Sequence, residues 1–254
     1  MRDFWSLQGE PLRPPPEAVD RMVIEAGSTD EPILLLGVTS EFYNRFSQII
    51  AIDKSKAMVE HVWPGDRPGK RAFVGKWQTE VLRHGKFRAI LGDGSINTLP
   101  SAEEVKLFFR ALDGALSEHG RLVMRVYCQP KQKISEAELV GGVERKNIGY
   151  HAARLRIGMY LAQREGAFVP VRNIATTFDA LFPDRDLFVE QCVAMTPEHF
   201  ALIDAYKGSE DFWYVPSPEM LLDELAAVCG DARFVSSGSY PFAQDCPILV
   251  LQHR

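Results

Sequence analysis

The sequence predicts an α/β protein built on a doubly wound, mostly parallel sheet. Between Ile33 and Tyr127, five strand-like apolar runs alternate with helical segments. The clearest of these runs are continuous in Ile, Leu and Val, which is typical of strands buried on both faces of a parallel sheet. Two of them end in glycine and polar residues. Right-handed crossovers place such strand ends at one edge of the sheet, where ligands bind in this class of fold.

Length and composition limit the possible functions. The chain has 254 residues, enough to bury a sizeable core, and a formal net charge of −5, which argues against broad binding to nucleic acid. No run approaches the ~18 apolar residues of a membrane span. The N-terminus carries an early acid and no apolar signal core. We therefore expect a cytoplasmic protein with no membrane partner.

The four cysteines indicate neither a metal site nor a disulfide framework. They are far apart, and none forms a CxxC motif or a Cys/His pair at ligand spacing. We interpret all four as packing residues: Cys128, Cys192, Cys229 and Cys246.

The N-terminal region, residues 1–30, is predicted to form an arm followed by a helix. The arm contains Phe4, Trp5 and three consecutive prolines at 14–16. Because prolines are tolerated at a helix entrance, the helix is predicted over Glu17–Ala26, with its apolar residues on one face.

The first two strands, Ile33–Leu36 and Ile49–Ile52, flank a polar turn and about two predicted helical turns. Gly37 follows the first strand and Asp53 the second, a spacing of 16 residues (53 − 37). This outline is typical of a nucleotide-binding βαβ unit, although ~20 residues and further glycines are usual. A buried βαβ unit with an ordinary polar loop is the alternative.

The next three strands are separated by helices with recognisable caps. Ser55 is predicted to cap a helix to about Trp63, and Ser101 to form a capping box with Glu104 in a helix that ends near Gly120. A short helix is predicted near residues 77–84. The strands are predicted at Ala72–Val74, Phe87–Leu91 and Arg121–Tyr127.

The pattern changes after Pro130. Residues 131–215 are predicted to be helical without a clear strand, as an insertion over the strand ends. A helix over Met220–Val228 and an antiparallel strand pair, Ala232–Ser237 with Ile248–Gln252, close the chain. The single domain thus comprises residues 1–30, a βα core at 31–130, the insertion at 131–215 and the closing elements at 216–254.

Four stretches together resemble the class I S-adenosylmethionine-dependent methyltransferases: residues 33–37, 50–58, 87–95 and 116–123. The resemblance implies a Rossmann-like, seven-stranded sheet with an antiparallel C-terminal strand, and S-adenosylmethionine as cofactor. Three departures stand out. Leu35 replaces an acid of the first motif, Thr39 and Glu41 replace its later glycines, and Lys76 replaces an acid that contacts adenine in many members.

The resemblance places the cofactor on residues at the strand ends. It implies that Asp53 holds the ribose hydroxyls, followed by Lys54, and that Trp77 lies against adenine. The methionine carboxylate would meet the loop of Gly37, Val38 and Thr39. The fourth motif would supply Asp93, Gly94 and Ser95 beside the cofactor, with Asp93 as a candidate general base.

Each of these assignments has a structural alternative. Asp53 could serve only a helix N-terminus, Gly37 only a turn, and Trp77 only the core. Asp93 and Ser95 could form an Asx turn.

The acceptor pocket is predicted from three residues outside these motifs. Tyr127 would face the acceptor, and Tyr150 and His151 would line a pocket for an anionic acceptor beside several arginines. A solvated helix face is the alternative for Tyr150 and His151.

We therefore predict methyl transfer from S-adenosylmethionine to a small molecule, with no metal. A catalytically inactive cofactor-binding or scaffolding protein of the same fold is the first alternative. A nicotinamide-dependent oxidoreductase is the second, although it should have more glycines after the first strand.

Overall fold

A computed structural model describes residues 5–193, 195–226 and 231–253. Nine strands are present in the described part of the chain: β1 (Ile33–Leu36), β2 (Ile49–Asp53), β3 (Lys70–Val74), β4 (Phe87–Asp93), β5 (Leu116–Arg125), β6 (Phe168–Pro170), β7 (Phe212–Tyr214), β8 (Asp231–Val235) and β9 (Ile248–Gln252). Seven of them form one sheet in the order β3-β2-β1-β4-β5-β9-β8.

The sheet confirms the predicted topology. Strands β1 to β5 pair in parallel, and β9 pairs antiparallel with both β5 and β8. All four side chains of β1 are buried. Ile33 and Leu35 pack in one layer of the core, and Leu34 and Leu36 pack in the layer on the other face. Burial on both faces explains why this strand is continuously apolar.

Helices cover both faces of the sheet. The α-helices with fully described bounds are α1 (Pro16–Ala26), α2 (Lys56–His61), α3 (Trp77–Glu80), α4 (Ala102–Ala115), α5 (Glu136–Glu144), α6 (Tyr150–Glu165), α7 (Val171–Leu181), α8 (Arg185–Gln191) and α9 (Phe200–Asp204). Helix α10 is described over Pro218–Ala226. Helix α1 packs its Val19 and Met22 on one face, and α4 packs Phe108 and Phe109 on the other. No helix among the described residues is long and apolar enough to span a membrane.

Helix α4 is shorter than the sequence predicts. It ends at Ala115, and β5 begins at Leu116 rather than at Arg121. Leu116 pairs with Phe87, and Gly120 lies so close to β4 that a Cβ there would be 2.8 Å from the carbonyl oxygen of Phe87. Pairing with β4 therefore overrides the helical pattern in this segment.

Two further local predictions need correction. The segment between β1 and β2 contains a 3-10 helix at Ser40–Phe42 rather than two helical turns. Half of the predicted capping box forms, because Ser101 Oγ accepts from the N–H of Glu104. The Glu104 carboxylate instead accepts a 2.7 Å hydrogen bond from the Gln78 amide.

The insertion is not entirely helical. Strands β6 and β7 pair antiparallel, and the rings of Phe168 and Tyr214 stack 4.6 Å apart. Three-residue strands are too short to show a period, so the pattern gave no sign of them.

The predicted closing elements form, and part of them lies outside the described residues. Helix α10 is described to Ala226, so Val228 of the predicted helix is not covered, nor are Phe4 and Cys229. The other three cysteines, Cys128, Cys192 and Cys246, are buried free thiols.

The side chain of Asn97 joins the insertion to the sheet by hydrogen bonds. Its amide nitrogen donates to the carbonyls of Tyr127 (2.9 Å) and Tyr214 (2.6 Å). Its amide oxygen accepts from the N–H of Tyr127 at 3.0 Å. This one buried side chain therefore joins the loop after β4, the chain after β5 and strand β7.

We predict that Asn97→Ala lowers the free energy of unfolding by about 3 kcal/mol, because buried backbone groups lose their hydrogen-bond partners. Urea denaturation measures this change. The matched control is Asn173→Ala, since the Asn173 amide makes an exposed hydrogen bond to Glu165. The control should cost less than about 1 kcal/mol. Equal losses in the two variants would contradict the role given to Asn97.

Candidate functional site

Gly37 and Asp53 meet at the carboxyl ends of β1 and β2. The Gly37 N–H donates to the Ile52 carbonyl at 2.7 Å. Gly37 has a φ of +101°, and a Cβ on it would lie 3.7 Å from Oδ2 of Asp53. The positive φ explains why glycine suits this position. The turn thereby leaves the backbone close to the Asp53 carboxylate.

The Asp53 carboxylate is only partly committed to the fold. Oδ1 accepts from the N–H of Ser55 at 2.8 Å, while Oδ2 faces Gly37 and has no hydrogen bond to any described residue. Burial raises the pKa of Asp53, and the Ser55 N–H and Lys54 partly oppose this rise. The helix cap of α2 itself comes from Ser55, whose Oγ accepts from Met58.

A cavity of about 140 Å³ lies at the ends of β2 and β3, where Lys54 follows Asp53. Its lining residues are Lys54, Lys76, Trp77, Gln78, Thr98, Leu99, Pro100 and Glu104. Trp77 is buried, its indole N–H donates to the Ile52 carbonyl at 2.6 Å, and its ring packs on Phe108. Trp77 is therefore part of the core and also a wall of this cavity. A larger cavity of about 440 Å³ lies between β5, β8 and β9, and no predicted site residue lines it.

The loop after Gly37 is compact despite its missing glycines. Val38 and Thr39 are buried, and the Thr39 carbonyl accepts from Phe42 at 3.2 Å. Glu41, at a position where the family has glycine, forms an ion pair with Arg13 of the N-terminal arm. The side chain that replaces a glycine thus anchors the arm over this loop.

The turn after β4 connects three strands. The buried Ser95 hydroxyl donates to the Leu36 carbonyl at 2.8 Å, and the Gly94 N–H donates to the Arg125 carbonyl at 2.9 Å. Gly94 has a φ of +63°, and a Cβ there would lie 3.0 Å from the ring of Tyr127. Tyr127, which the sequence analysis places at the acceptor, therefore lies directly on this turn.

Asp93 is paired with Arg125, which the sequence reading did not single out. Both carboxylate oxygens accept from the guanidinium, through Nε and, at 3.0 Å, through Nη2. The two side chains are 3% and 0% exposed. Burial raises the pKa of Asp93, although Arg125 opposes this rise. Because both carboxylate oxygens already accept N–H donors from Arg125, the geometry nevertheless argues against Asp93 as general base. Arg125 lies opposite Asp93 on the neighbouring strand β5. A charged residue within this buried, apolar strand is the sequence feature that could have identified the pair.

Two tyrosines complete this buried network. Arg125 Nη1 donates to the Tyr240 hydroxyl at 3.1 Å, and Nη2 donates to the Tyr127 hydroxyl at 3.3 Å. The Tyr127 hydroxyl donates to the Leu12 carbonyl in the arm at 3.2 Å. Burial raises the pKa of Tyr127 well above its ordinary value, although Arg125 opposes this rise. Tyr127 is thus a protonated hydroxyl at neutral pH.

Tyr150 and His151 lie at the start of α6, under the N-terminal arm. They are 1% and 8% exposed, so the alternative of a solvated helix face is wrong for them. Arg145 and Lys146 are exposed, but they lie in the turn after α5 rather than on a helix face. The ring contacts of Tyr150 and His151 among the described residues are with one another and with Phe178, Phe188 and His199, not with the strand ends. No group of three or more described His, Cys, Asp or Glu side chains is placed to hold a metal ion.

The order and direction of the seven strands, with antiparallel β9 between β5 and β8, define the class I S-adenosylmethionine-dependent methyltransferase fold. The chain is similar to CalS10 from Micromonospora echinaspora, a structure described as S-adenosylmethionine-bound and as an amino pentose methyltransferase. The TM-score is 0.56 and the identity 15%, over 98% of this chain and 94% of CalS10.

Two other solved structures share the fold. A protein from Rhodobacter sphaeroides, provisionally named a Zn-dependent alcohol dehydrogenase, has a TM-score of 0.61 at 13% identity over 100% of this chain and 97% of its own. A methyltransferase of the S-adenosylmethionine-dependent class from Methanosarcina mazei has a TM-score of 0.50 at 11% identity, over 91% and 96%. No protein-family model and no curated protein sequence matches the chain. At these identities the likeness shows the fold alone.

We predict that Arg125→Met lowers the free energy of unfolding by about 3–5 kcal/mol, because it leaves the Asp93 carboxylate buried and unpaired. The double variant with Asp93→Asn removes that charge and should recover part of the loss. Urea denaturation of the single and double variants measures both changes. A single-variant loss below about 1 kcal/mol would show that the pair is not the buried interaction described.

Proposed function

We propose that the protein transfers a methyl group from S-adenosylmethionine to a small-molecule acceptor. The observation that carries the proposal is the meeting of Gly37 and Asp53, with Oδ2 of Asp53 facing the glycine. The next residue, Lys54, lines the cavity of about 140 Å³. A carboxylate at this strand end is suited to accept hydrogen bonds from ribose hydroxyls.

The residues present fit the adenosine half of the cofactor. Asp53 would hold the ribose, and Lys54, Trp77 and Leu99 would surround the adenine in the cavity they line. CalS10, which shares the fold over nearly its whole length, is described with this cofactor bound. We assign Gly37, Val38, Thr39, Gly94 and Ser95 to the methionine half, where the backbone rather than side-chain charge would make the contacts.

The bound cofactor would supply a methyl group already activated on a sulfonium. The protein then has to orient the acceptor and exclude water. Tyr127 is suited to orienting, since its protonated hydroxyl lies against Gly94. The arm is suited to excluding water, because the Arg13–Glu41 ion pair and the Leu12–Tyr127 hydrogen bond hold it over the strand ends. We assign Asp93 to holding Arg125 rather than to proton transfer.

A small acceptor is favoured over a macromolecule. The arm and α6 bury Tyr127 and Tyr150, so a large surface has little access to the turn after β4. The net charge of −5 also opposes binding to nucleic acid.

The paired Asp93 and the absent glycines favour the second candidate, a protein of this fold that binds the cofactor without turnover.

We predict that the protein binds S-adenosylmethionine with measurable heat, and that Asp53→Asn weakens the affinity by about 10- to 100-fold through loss of charge-assisted hydrogen bonds. Titration calorimetry measures both. Asp186→Asn, at an exposed position in the first turn of α8, is the matched control and should bind as the original chain does. Absence of heat at millimolar cofactor in the original chain would overturn the proposal. Binding without methylated product across a panel of small acceptors would favour the non-catalytic candidate.

The Asp53→Asn substitution should not destabilise the fold. Because the pKa of Asp53 is raised by burial, the folded chain binds more protons than the unfolded chain between the ordinary and the raised pKa. Its stability contribution therefore falls as pH rises through this window, and the ionised carboxylate at neutral pH is a cost. Asp53→Asn removes that charge, so Tm at pH 7 should be equal or higher. A large fall in Tm would show that lost binding reflects misfolding.

A further inference from the structure

Arg154, in the second turn of α6, is a buried charge with neutral partners. The whole residue is 1% exposed, which makes it one of the two largest fully buried side chains among the described residues. Its Nη1 donates to the side-chain oxygen of Gln8 at 3.1 Å, and its Nη2 donates to the hydroxyl of Tyr206 at 2.6 Å. The ring of Tyr206 also lies 5.0 Å from the guanidinium carbon.

No described carboxylate lies within 4.0 Å of this guanidinium. Arg125, the other large buried arginine, has Asp93 as its partner. The Asp204 carboxylate forms ion pairs with Arg185 and Lys207. Because buried charges in proteins are normally paired, the site around Arg154 lacks an anion.

Further polar atoms beside Arg154 lack partners. Its own Nε and the Nδ1 of His151 are buried without a hydrogen bond to any described residue. The hydroxyl of Tyr150 is close enough to influence the pKa of Arg154 but makes no hydrogen bond of ordinary geometry. Burial, the Arg154 charge and His199 lower the pKa of His151 to about 3, so its ring is neutral at pH 7. Unsatisfied groups cluster here, where a ligand with an anionic group and a proton to donate would satisfy them.

The N-terminal arm covers this cluster. Gln8 caps the guanidinium, and Gly9 lies so close to His151 that a Cβ on it would be 2.7 Å from Cδ2 of the ring. Leu12 is four residues after Gln8, and its carbonyl accepts a hydrogen bond from the Tyr127 hydroxyl at the turn after β4. Four residues span at most about 14 Å. The Arg154 cluster and the proposed methyl-transfer site therefore lie under one short segment, within reach of one small molecule.

We propose that Arg154, with His151 and Tyr150, is the subsite for an oxyanion of the acceptor, a carboxylate or phosphate group. The Gln8 amide oxygen occupies the place of one ligand oxygen on Nη1. Displacement of Gln8 by the ligand frees a guanidinium edge for the two parallel hydrogen bonds that arginine makes to such groups. The link to an acceptor rests on the proposed function, whereas anion binding by Arg154 does not.

Inorganic phosphate is the probe for the subsite. We expect phosphate to raise the Tm of the original chain by about 2–4 °C over sodium chloride at equal ionic strength. Arg154→Met and Arg154→Lys should both lose this rise. The first variant removes the charge, and the second keeps the charge but removes the planar guanidinium. Arg110→Met, at an exposed position of α4, is the matched control and should keep it, which accounts for general salt effects.

Gln8→Ala keeps the experiment decisive if Arg154→Met does not fold. Removal of the covering amide should increase the phosphate-dependent rise, because the anion no longer displaces it. Equal rises in the original chain and Arg154→Lys, or no rise in both the original chain and Gln8→Ala, would overturn the subsite. Calorimetry with S-adenosylmethionine separates the two proposals. If the original chain gives no heat of cofactor binding but still shows the phosphate-dependent rise in Tm, only the methyltransferase proposal is contradicted.

Discussion

The buried ion pair between Asp93 and Arg125 is the interaction on which the candidate site depends. It joins β4 to β5 at the ends of the strands, and through Tyr127 it reaches the carbonyl of Leu12 in the N-terminal arm. Tyr240, near the C-terminal strands, is fixed by the same guanidinium. One side chain therefore sets the relative position of the strand ends, the arm and the chain between β8 and β9. Its burial makes the geometry sensitive to loss of either charge.

This pair also changes how the candidate cofactor site is understood. Of the two carboxylates predicted for the site, Asp93 is neutralised by Arg125, and Asp53 keeps one oxygen, Oδ2 beside Gly37, without a hydrogen bond to a described residue. The adenosine half of the site is thus better defined than the methionine half. Glu41, which replaces a glycine, holds Arg13 and so contributes to covering the site rather than to binding phosphate or carboxylate.

The parts of the fold that were predictable are those dictated by burial. Continuous Ile and Leu runs such as β1, buried on both faces, have few alternatives to a parallel strand. Predictions failed where pairing between distant segments decides the structure. The residues 116–120 join β5 because they meet β4, and β6 and β7 exist because Phe168 stacks on Tyr214. Neither contact leaves a periodic signature in the sequence.

The candidate site was predictable where position along a strand fixes it. Gly37, Asp53, Gly94 and Ser95 are placed by the strand ends alone. The partners of Asp93 and Arg154 were not predictable, because they depend on which side chains share a buried space. Arg154 appears in the sequence as one of several basic residues in a helix, whereas the structure separates it from the exposed Arg145.

Co-crystallisation with S-adenosylhomocysteine, which lacks the transferable methyl group, shows directly whether the strand ends bind the cofactor. We expect density for the adenine between Lys54, Trp77 and Leu99, with both ribose hydroxyls on the Asp53 carboxylate. Density for the nucleoside elsewhere, or a cavity that stays empty in crystals grown at millimolar ligand, would contradict this expectation.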